Sequence, residues 1–272
     1  MQPLHQRDPR SHPQRAGARS LSREPPIRYA VISDVHANLE ALTAVLADAA
    51  SEGAHQVLCL GDLVGYGADP VACVERVGER ASAMVAGNHE HAALGLLDLQ
   101  WFNPWARAAA RWTAEQLDQG HRDYLTALSL VRIVEDATLV HASPRNPEEW
   151  DYLVSAEDGL QVFGDFATRL CFVGHSHLPG VWSVGSGGPD HAGRLDVPAA
   201  QVRLDDGRRY VVNVGSVGQP RDRDPRACYA IWDRDARTVT IRRVPYDHAA
   251  AARKILAAGL PRALADRLAS GA

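Results

Sequence analysis

The chain has 272 residues, which is long for one globular domain and short for two. Its hydrophobic fraction of 46% is that of an ordinary packed protein, and its formal net charge of −4 argues against a dedicated nucleic-acid or membrane-surface binder, whose footprint would be basic. No apolar run approaches the length of a transmembrane helix, and the four cysteines form no C-x-x-C pair. These features predict a cytoplasmic protein with buried thiols.

Residues 1–26 differ in composition from the rest of the chain, being rich in arginine, proline, glutamine and serine. They contain no apolar segment of the kind that a secretory signal requires. This composition predicts a disordered basic N-terminal tail, with the folded domain over residues 27–272. A basic arm that contacts an anionic partner is the alternative.

The first part of the domain alternates short apolar runs with amphipathic segments. The runs predict strands at 27–33, 56–60 and 81–86, and the segments between them predict helices at 39–50 and 70–79. Such a β-α-β-α-β series is typical of a parallel sheet with right-handed crossovers.

The second part is richer in strands. After an alanine-rich helix at 103–117, the pattern predicts strands at 131–134, 138–142, 170–173, 200–204, 209–214, 228–232 and 238–244. Residues 185–193 are predicted to be a loop, and residues 249–268 a closing helix. The fold class is therefore α/β, with a second sheet that is mixed or antiparallel.

Eight side chains of the types that bind metals follow these predicted strands closely. They are Asp34, His36, Asp62, Asn88, His89, His141, His175 and His177. Singly, Asp34-x-His36, Asp62 and His141 are weak signals, because a turn, a cap or a buried histidine explains each as well. Residues 87–90 and 174–177 are more specific, since the two imidazoles of 174–177 after a buried strand have little packing reason. Because loops at the carboxyl ends of strands converge on one crevice, the set in this order predicts a shared site for hard-to-borderline divalent metals.

The order D-x-H, G-D, G-N-H-E, H, G-H-x-H resembles the calcineurin-like metallophosphoesterases, and within them a small bacterial phosphodiesterase branch. The resemblance runs from about Ile27 to His177. It extends through residues 213–221 (NVGSVGQPR), which are similar to that branch's N-P-G-S-x-G-Q-P-R segment. It implies a four-layer αββα sandwich of two mixed β-sheets flanked by helices.

The resemblance also implies two divalent metal ions. The first would be held by Asp34, His36, Asp62 and His177, and the second by Asp62, Asn88, His141 and His175, with Asp62 bridging the two. Manganese is the expected metal, with iron, zinc, cobalt and nickel as alternatives. Two such ions neutralise phosphate oxygens and activate a bridging hydroxide as the nucleophile. A protonated His89 would face the substrate phosphate and its leaving oxygen.

Two arginines are candidates for binding the other phosphate oxygens, Arg145 and Arg221, because the guanidinium fork matches phosphate. An ordinary surface charge is the alternative for each. One position departs from the family. Protein phosphatases carry a G-D-x-x-D-R-G segment whose later Asp supports the catalytic His, and Gly65 stands at that position in this chain.

The expected activity is hydrolysis of a phosphodiester of a nucleotide or another small phosphorylated molecule. The same site would also suit a phosphomonoesterase, a dinucleoside polyphosphate hydrolase or a protein phosphatase, and Gly65 disfavours the last. A non-catalytic protein-binding scaffold is a further alternative, although such a protein would have lost ligands. For a metal-dependent acyl or amide hydrolase, the sequence lacks the expected H-E-x-x-H signature. Nothing in the sequence specifies an oligomeric state.

Overall fold

A computed structural model describes residues 27–185, 188–193 and 200–272. The predicted N-terminal tail lies outside these described residues, so its disorder stays a prediction. In the described ranges, no helix is both long and apolar enough to cross a lipid bilayer. Each of the four cysteines is buried and free, as predicted.

Strands and helices alternate in the first half of the domain, and strands predominate in the second half. In chain order, the strands are β1 (Arg28–Ile32), β2 (Gln56–Cys59), β3 (Ala81–Met84), β4 (Val131–Val134), β5 (Ala137–Val140), β6 (Leu170–Val173), β7 (Gly180–Gly185), β8 (Gly188–Gly193), β9 (Ala200–Arg203), β10 (Arg208–Asn213), β11 (Ala227–Asp233) and β12 (Thr238–Val244). The α-helices are α1 (Leu39–Ser51), α2 (Pro70–Gly78), α3 (Asn88–Ala93), α4 (Pro104–Gln116), α5 (Gln119–Thr126), α6 (Ala156–Gln161), α7 (His248–Ala257) and α8 (Arg262–Asp266).

The strands form two mixed sheets. The first has the order β3-β2-β1-β11-β12-β9, and the second has the order β4-β5-β6-β10-β7-β8. Within the first sheet β1, β2 and β3 are parallel, and within the second β5, β6 and β10 are parallel. Each sheet therefore has a parallel half, and it is the carboxyl ends of these halves that carry the predicted ligands.

Alternation along the strands builds the layers. In β1, Tyr29 and Val31 pack in a core shared with Phe172 of the second sheet. Ala30 and Ile32 point the other way, into a core that α1 and α2 cover. A further apolar cluster, which includes Trp182, lies on the outer side of the second sheet next to α6. The result is the predicted arrangement of two face-to-face sheets with helices outside.

Local signals explain where the first helices begin. The side chain of Asn38 accepts a hydrogen bond from the backbone N–H of Ala41 at 3.1 Å, which caps α1. Pro70 occupies the first turn of α2, where its missing N–H costs nothing. Helix α1 begins seven residues after β1 ends and α2 eleven residues after β2 ends, and the ligand loops occupy these intervals.

Two sequence expectations are wrong. The predicted helix over 249–268 is broken into α7 and α8. Gly259, with φ of 72°, ends α7, and Pro261, which lacks an N–H, cannot continue it. The predicted loop at 185–193 contains β8, which pairs with β7 in antiparallel orientation. Pro189 is tolerated there because β8 is the edge strand of its sheet.

Candidate metal centre

All eight metal-type side chains converge at one edge of the sandwich. None of them is more than 9% exposed. Asp34 and His36 follow β1, Asp62 follows β2, and Asn88 and His89 open α3 after β3. His141 follows β5, and His175 and His177 follow β6. We call this set of eight residues the floor.

One group of ligand atoms joins the two sheets. Nε2 of His177 lies 3.2 Å from Oδ1 of Asp34, and Nε2 of His36 lies 3.7 Å from the same oxygen. The two Nε2 atoms are 3.1 Å apart. Asp34, His36 and His177 are thus close enough to hold one metal ion.

A second group lies beside the first. Nε2 of His141 is 3.3 Å from Oδ2 of Asp62 and 3.2 Å from Nδ1 of His175. The same Asp62 oxygen is 3.7 Å from Nε2 of His36. Asp62 therefore stands between the two groups, which is the position that a bridging carboxylate needs.

Backbone carbonyls set the tautomers of three of these histidines. Nδ1 of His36 donates to the carbonyl of Val64 at 3.0 Å, and Nδ1 of His141 donates to that of Leu60 at 2.8 Å. Nδ1 of His177 donates to the carbonyl of Gln219. In a neutral ring, Nε2 then carries the lone pair. The close Nε2 atoms of neutral His36 and His177 therefore cannot hydrogen-bond to each other and suit a shared cation.

Two buried oxygens without hydrogen-bond partners also indicate a metal site. Oδ1 of Asp34 and Oδ1 of Asn88 are buried, and neither accepts a hydrogen bond from the described residues. A buried polar atom normally has a partner, since leaving it without one costs about 1–3 kcal/mol. The oxygen and imidazole donor set fits a divalent transition metal and explains both atoms.

The electrostatics of the floor favour charged carboxylates. Burial raises the pKa of Asp62, but His141, His89 and His36 more than offset it, and the net pKa lies well below the usual value. Burial lowers the pKa of His141, yet Asp62 and Asp34 raise it overall to about 9. A cation bound at Nε2 would replace that proton, so metal binding is expected to release protons.

The backbone is unusual at the same positions. Asp34, His36, Asp62, His175 and His177 all have φ between 48° and 62°. Non-glycine residues adopt this left-handed region rarely, and clusters of them occur where function demands a fixed geometry. Five of the seven predicted ligands are held in this way.

The orientation of the His89 ring is determined by packing and not by a hydrogen bond to a carboxylate. Its ring centroid lies 4.5 Å from that of Tyr66 and 5.2 Å from that of Phe102, and its Nδ1 has no hydrogen-bond partner among the described residues. A Cβ atom on Gly65 would stand 2.2 Å from that Nδ1. The ring thus occupies the space next to Gly65 that a side chain there would need. Burial lowers the pKa of His89 to about 4, with Asp62 opposing the shift.

His89 also lies close enough to His36 and Asp62 to form a third potential metal group. Geometry alone therefore does not separate His89 from the ligands. Its backbone N–H donates to Oδ1 of Asp62 at 2.8 Å, which ties the position of its loop to that carboxylate.

Glu90 is a further buried residue of the G-N-H-E segment, and it holds the loops together. Its carboxylate accepts from the backbone N–H groups of Gly87 at 2.7 Å, Asp62 at 2.8 Å and Leu63 at 2.7 Å. Burial and the charge of Asp62 raise its pKa to about 7. Glu90 thus fixes the loop that carries Asp62. It does not replace the missing carboxylate at position 65 as a hydrogen-bond partner of His89.

The two candidate arginines have different positions. Arg221 lies against the floor, where its Nη2 donates to the hydroxyl of Tyr66 at 3.3 Å and its buried Nε has no partner among the described residues. Arg145 donates from Nε to Asp165 at 3.0 Å and from Nη2 to the carbonyl of Gln161. Because those donors are occupied outside the cavity, the geometry does not support the prediction that Arg145 binds substrate.

A cavity of about 580 Å³ opens directly over the floor. Sequence reasoning missed most of its outer wall, which we call the rim. The rim consists of Asp98, Trp101, Phe102, Glu148, Glu149, Trp150 and Tyr152. The available signal was the pairing of acidic and aromatic residues in two short loops, 98–102 and 148–152, that fit no helix or strand pattern.

The sequence model of the calcineurin-like phosphoesterase superfamily domain matches residues 27–237. The chain belongs to this superfamily. Its members' shared chemistry makes the chain a phosphoric ester hydrolase by family and implies divalent metal ions, for which the floor offers aspartate and histidine clusters.

Similar proteins cover almost the whole of the domain. The chain is 40% identical over 246 residues to an uncharacterized protein of Methanocaldococcus jannaschii, which covers 88% of this chain and 96% of the relative. A metallophosphoesterase from Sphaerobacter thermophilus superposes with a TM-score of 0.79 at 43% identity, covering 91% of this chain and 100% of that one. A hypothetical protein from Pyrococcus horikoshii shares the fold at 19% identity, with a TM-score of 0.71 over 90% of this chain and 99% of that one.

Proposed function

We propose that this phosphoesterase is a dinuclear metal enzyme that hydrolyses phosphodiester bonds of a small phosphorylated molecule in the cytoplasm. Asp34, His36, Asp62 and His177 would hold one ion, and Asp62, Asn88, His141 and His175 the other. Manganese is the proposed metal. The observation that carries the proposal is the placement of Asp62 between two groups of carboxylate and imidazole donor atoms.

When bound, divalent ions at such a site neutralise phosphate charge and lower the pKa of water. The chain's own residues then have separate tasks. Asp62, fixed by Glu90 and by the backbone of His89, keeps the two groups at a constant spacing. Arg221 offers its unpartnered Nε to a phosphate oxygen that is not transferred.

Hydrolysis of the diester forms a bond from a water oxygen to phosphorus and breaks the bond from phosphorus to one alcohol oxygen. The electron pair of the broken bond leaves with that oxygen. The proton lost by the attacking water balances the proton gained by the leaving alcohol. His89 lines the cavity and presents an N–H in either protonation state, so it is placed to donate a hydrogen bond to the leaving oxygen.

The intact floor weighs against the protein-binding scaffold, since none of the ligand types is missing. A small substrate is supported by the cavity, whose volume of about 580 Å³ is that of a small-molecule site.

Turnover of bis(p-nitrophenyl) phosphate by the purified protein tests the proposal. We expect chelator-treated protein to lose turnover and to regain it with Mn²⁺. Turnover that survives complete metal removal would contradict a metal-dependent mechanism. No turnover of any monoester, cyclic nucleotide, linear diester or dinucleoside polyphosphate with any divalent ion would favour the scaffold.

A further inference from the structure

The rim has an unusual combination of exposure and chemistry. Trp101 is 84% exposed and Tyr152 is 53% exposed, although both are large aromatic side chains at the mouth of a buried polar site. Solvent exposure of a tryptophan loses the benefit of burying it, so an exposed Trp beside a cavity is typical of a ligand contact.

The rim packs against the floor through contacts between aromatic and imidazole rings. The ring of Tyr152 stacks on that of His175 with centroids 4.1 Å apart, and Trp150 meets His141 edge-on at 6.0 Å. Trp150 and Asn146, which bracket the short 3₁₀ helix Pro147–Glu149, both have left-handed backbone conformations, with φ of 58° and 43°. A bulky residue rarely adopts this conformation, and it persists where the surrounding structure holds it.

The charge of the rim is negative. Asp98, Glu148 and Glu149 line the cavity there, whereas Arg221 is the one arginine or lysine among the described residues that line it. Arg221 lies at the floor beside Tyr66, and no hydrogen bond or ion pair to a described residue involves the carboxylates of Glu148 and Glu149. A substituent with further phosphate groups would therefore meet repulsion at the rim.

Aromatic rings combined with free carboxylates are the chemistry that binds ammonium groups. The ring face attracts a cation through its quadrupole, and a carboxylate adds direct charge attraction. Trp150 adds an Nε1–H that is buried and has no partner among the described residues, and an oxygen of an ester or alcohol could accept from it.

From these observations we propose that the rim selects phosphodiesters in which one alcohol carries a positively charged ammonium group, of the choline or ethanolamine type. The phosphate would lie on the floor, and the ammonium group would lie among Trp101, Tyr152 and the carboxylates of Glu148 and Glu149. This inference rests on the proposed function for its reaction. Its recognition step can be tested without that reaction.

Matched chromogenic diesters isolate the positive charge. p-Nitrophenyl phosphorylcholine and p-nitrophenyl 3,3-dimethylbutyl phosphate share a leaving group and a shape, and they differ in having nitrogen or carbon at the branched centre. With the Mn²⁺-loaded protein, we expect kcat/KM to favour the choline ester by about tenfold. Equal values, or a preference for the carbon analogue, would overturn the inference while leaving the proposed function intact.

Variants assign the preference to residues. Glu148→Gln together with Glu149→Gln should reduce the ratio of the two kcat/KM values to about two. Asp151→Asn removes a charge from the same loop at an exposed position that does not line the cavity, and it should leave the ratio unchanged. A ratio that falls equally in both variants would show a nonspecific charge effect and contradict the assigned contacts.

Thymidine 5′-monophosphate p-nitrophenyl ester serves as the third substrate. Faster turnover of this ester than of both others would show that the rim stacks a base, which overturns the inference.

Calorimetric titration gives a readout that does not need turnover. Phosphorylcholine should bind about tenfold more tightly than 3,3-dimethylbutyl phosphate. If no diester is hydrolysed yet this difference is found, the proposed function fails and the rim inference stands. If no diester is hydrolysed and no difference in binding is found, both the proposed function and the inference fail.

Discussion

The floor and the rim of the cavity differ in almost every physical property. The floor is buried, tied by backbone hydrogen bonds and built from metal-type side chains at strand ends. The rim is exposed, aromatic and acidic, and it is built from loops that contain only short 3₁₀ helices. The difference separates two tasks. The floor determines which chemistry the protein performs, and the rim determines which alcohol substituent reaches it.

The largest effect should come from the residue that joins the two ligand groups of the floor. Asp62→Asn keeps the oxygen that accepts from the backbone of His89 but removes the bridging charge, so turnover should fall at least about a thousandfold. Metal content measured by mass spectrometry should fall with it. Asp206→Asn, in an exposed turn, is the control and should change neither. Full metal content with full activity in Asp62→Asn would refute the bridging role.

Substitution of His89 should affect turnover without affecting metal binding. His89→Ala is expected to lower kcat about a hundred- to a thousandfold while metal content stays that of the wild type, because the variant removes a donor to the leaving oxygen. Exposed His55 provides the matched control, His55→Ala. A loss of metal in His89→Ala would instead make His89 a ligand, as its closeness to His36 and Asp62 allows.

Gly65 tests whether packing orients His89. Gly65→Ala places a Cβ atom 2.2 Å from Nδ1 of His89 and should lower kcat about tenfold, since the ring must move. Gly207→Ala shares the positive φ, at 75° against 83°, but meets nothing within 4 Å. Gly207→Ala should lose about 1 kcal/mol of unfolding free energy from backbone strain, and Gly65→Ala about 1–3 kcal/mol more from the displaced ring, measured by urea denaturation. Equal kcat in the two variants would show that His89 does not depend on this contact.

The smallest effect should come from the rim. Trp101→Ala should raise KM for bis(p-nitrophenyl) phosphate about two- to fivefold and leave kcat within twofold, because it removes a contact outside the reacting centre. Its unfolding free energy should change by less than about 0.5 kcal/mol, since the side chain is 84% exposed. Trp105→Ala is the control, because Trp105 does not line the cavity. A large drop in kcat would show that Trp101 takes part in the reaction. It would contradict the separation of roles between floor and rim.

The same division explains what the sequence could predict. Asp34, Asp62 and His175 each follow an apolar run that forms a strand, and parallel strand ends must meet at one edge, so their convergence is predictable. No such rule predicts the positions of the rim residues. Trp101 and Trp150 lie in loops without periodicity, and their shared cavity arises only from the packing of two distant segments.

Other differences have equally local causes. The protein-phosphatase pattern places a supporting carboxylate beside the catalytic His, whereas here Tyr66 and Phe102 pack against His89. Their closeness in space cannot be read from the sequence. The role of Glu90 is hidden in the sequence because its partners are backbone N–H groups, which carry no residue identity. Arg145 has the expected chemistry, but its side chain forms an ion pair with Asp165 outside the cavity.

The central claim is that the floor holds two metal ions that act together. It is tested most directly by titrating metal-free protein with Mn²⁺ while following bound metal and bis(p-nitrophenyl) phosphate turnover in the same samples. We predict that turnover reaches its plateau as the second ion per chain binds. A plateau at one ion per chain, or two bound ions with no turnover, would contradict the account.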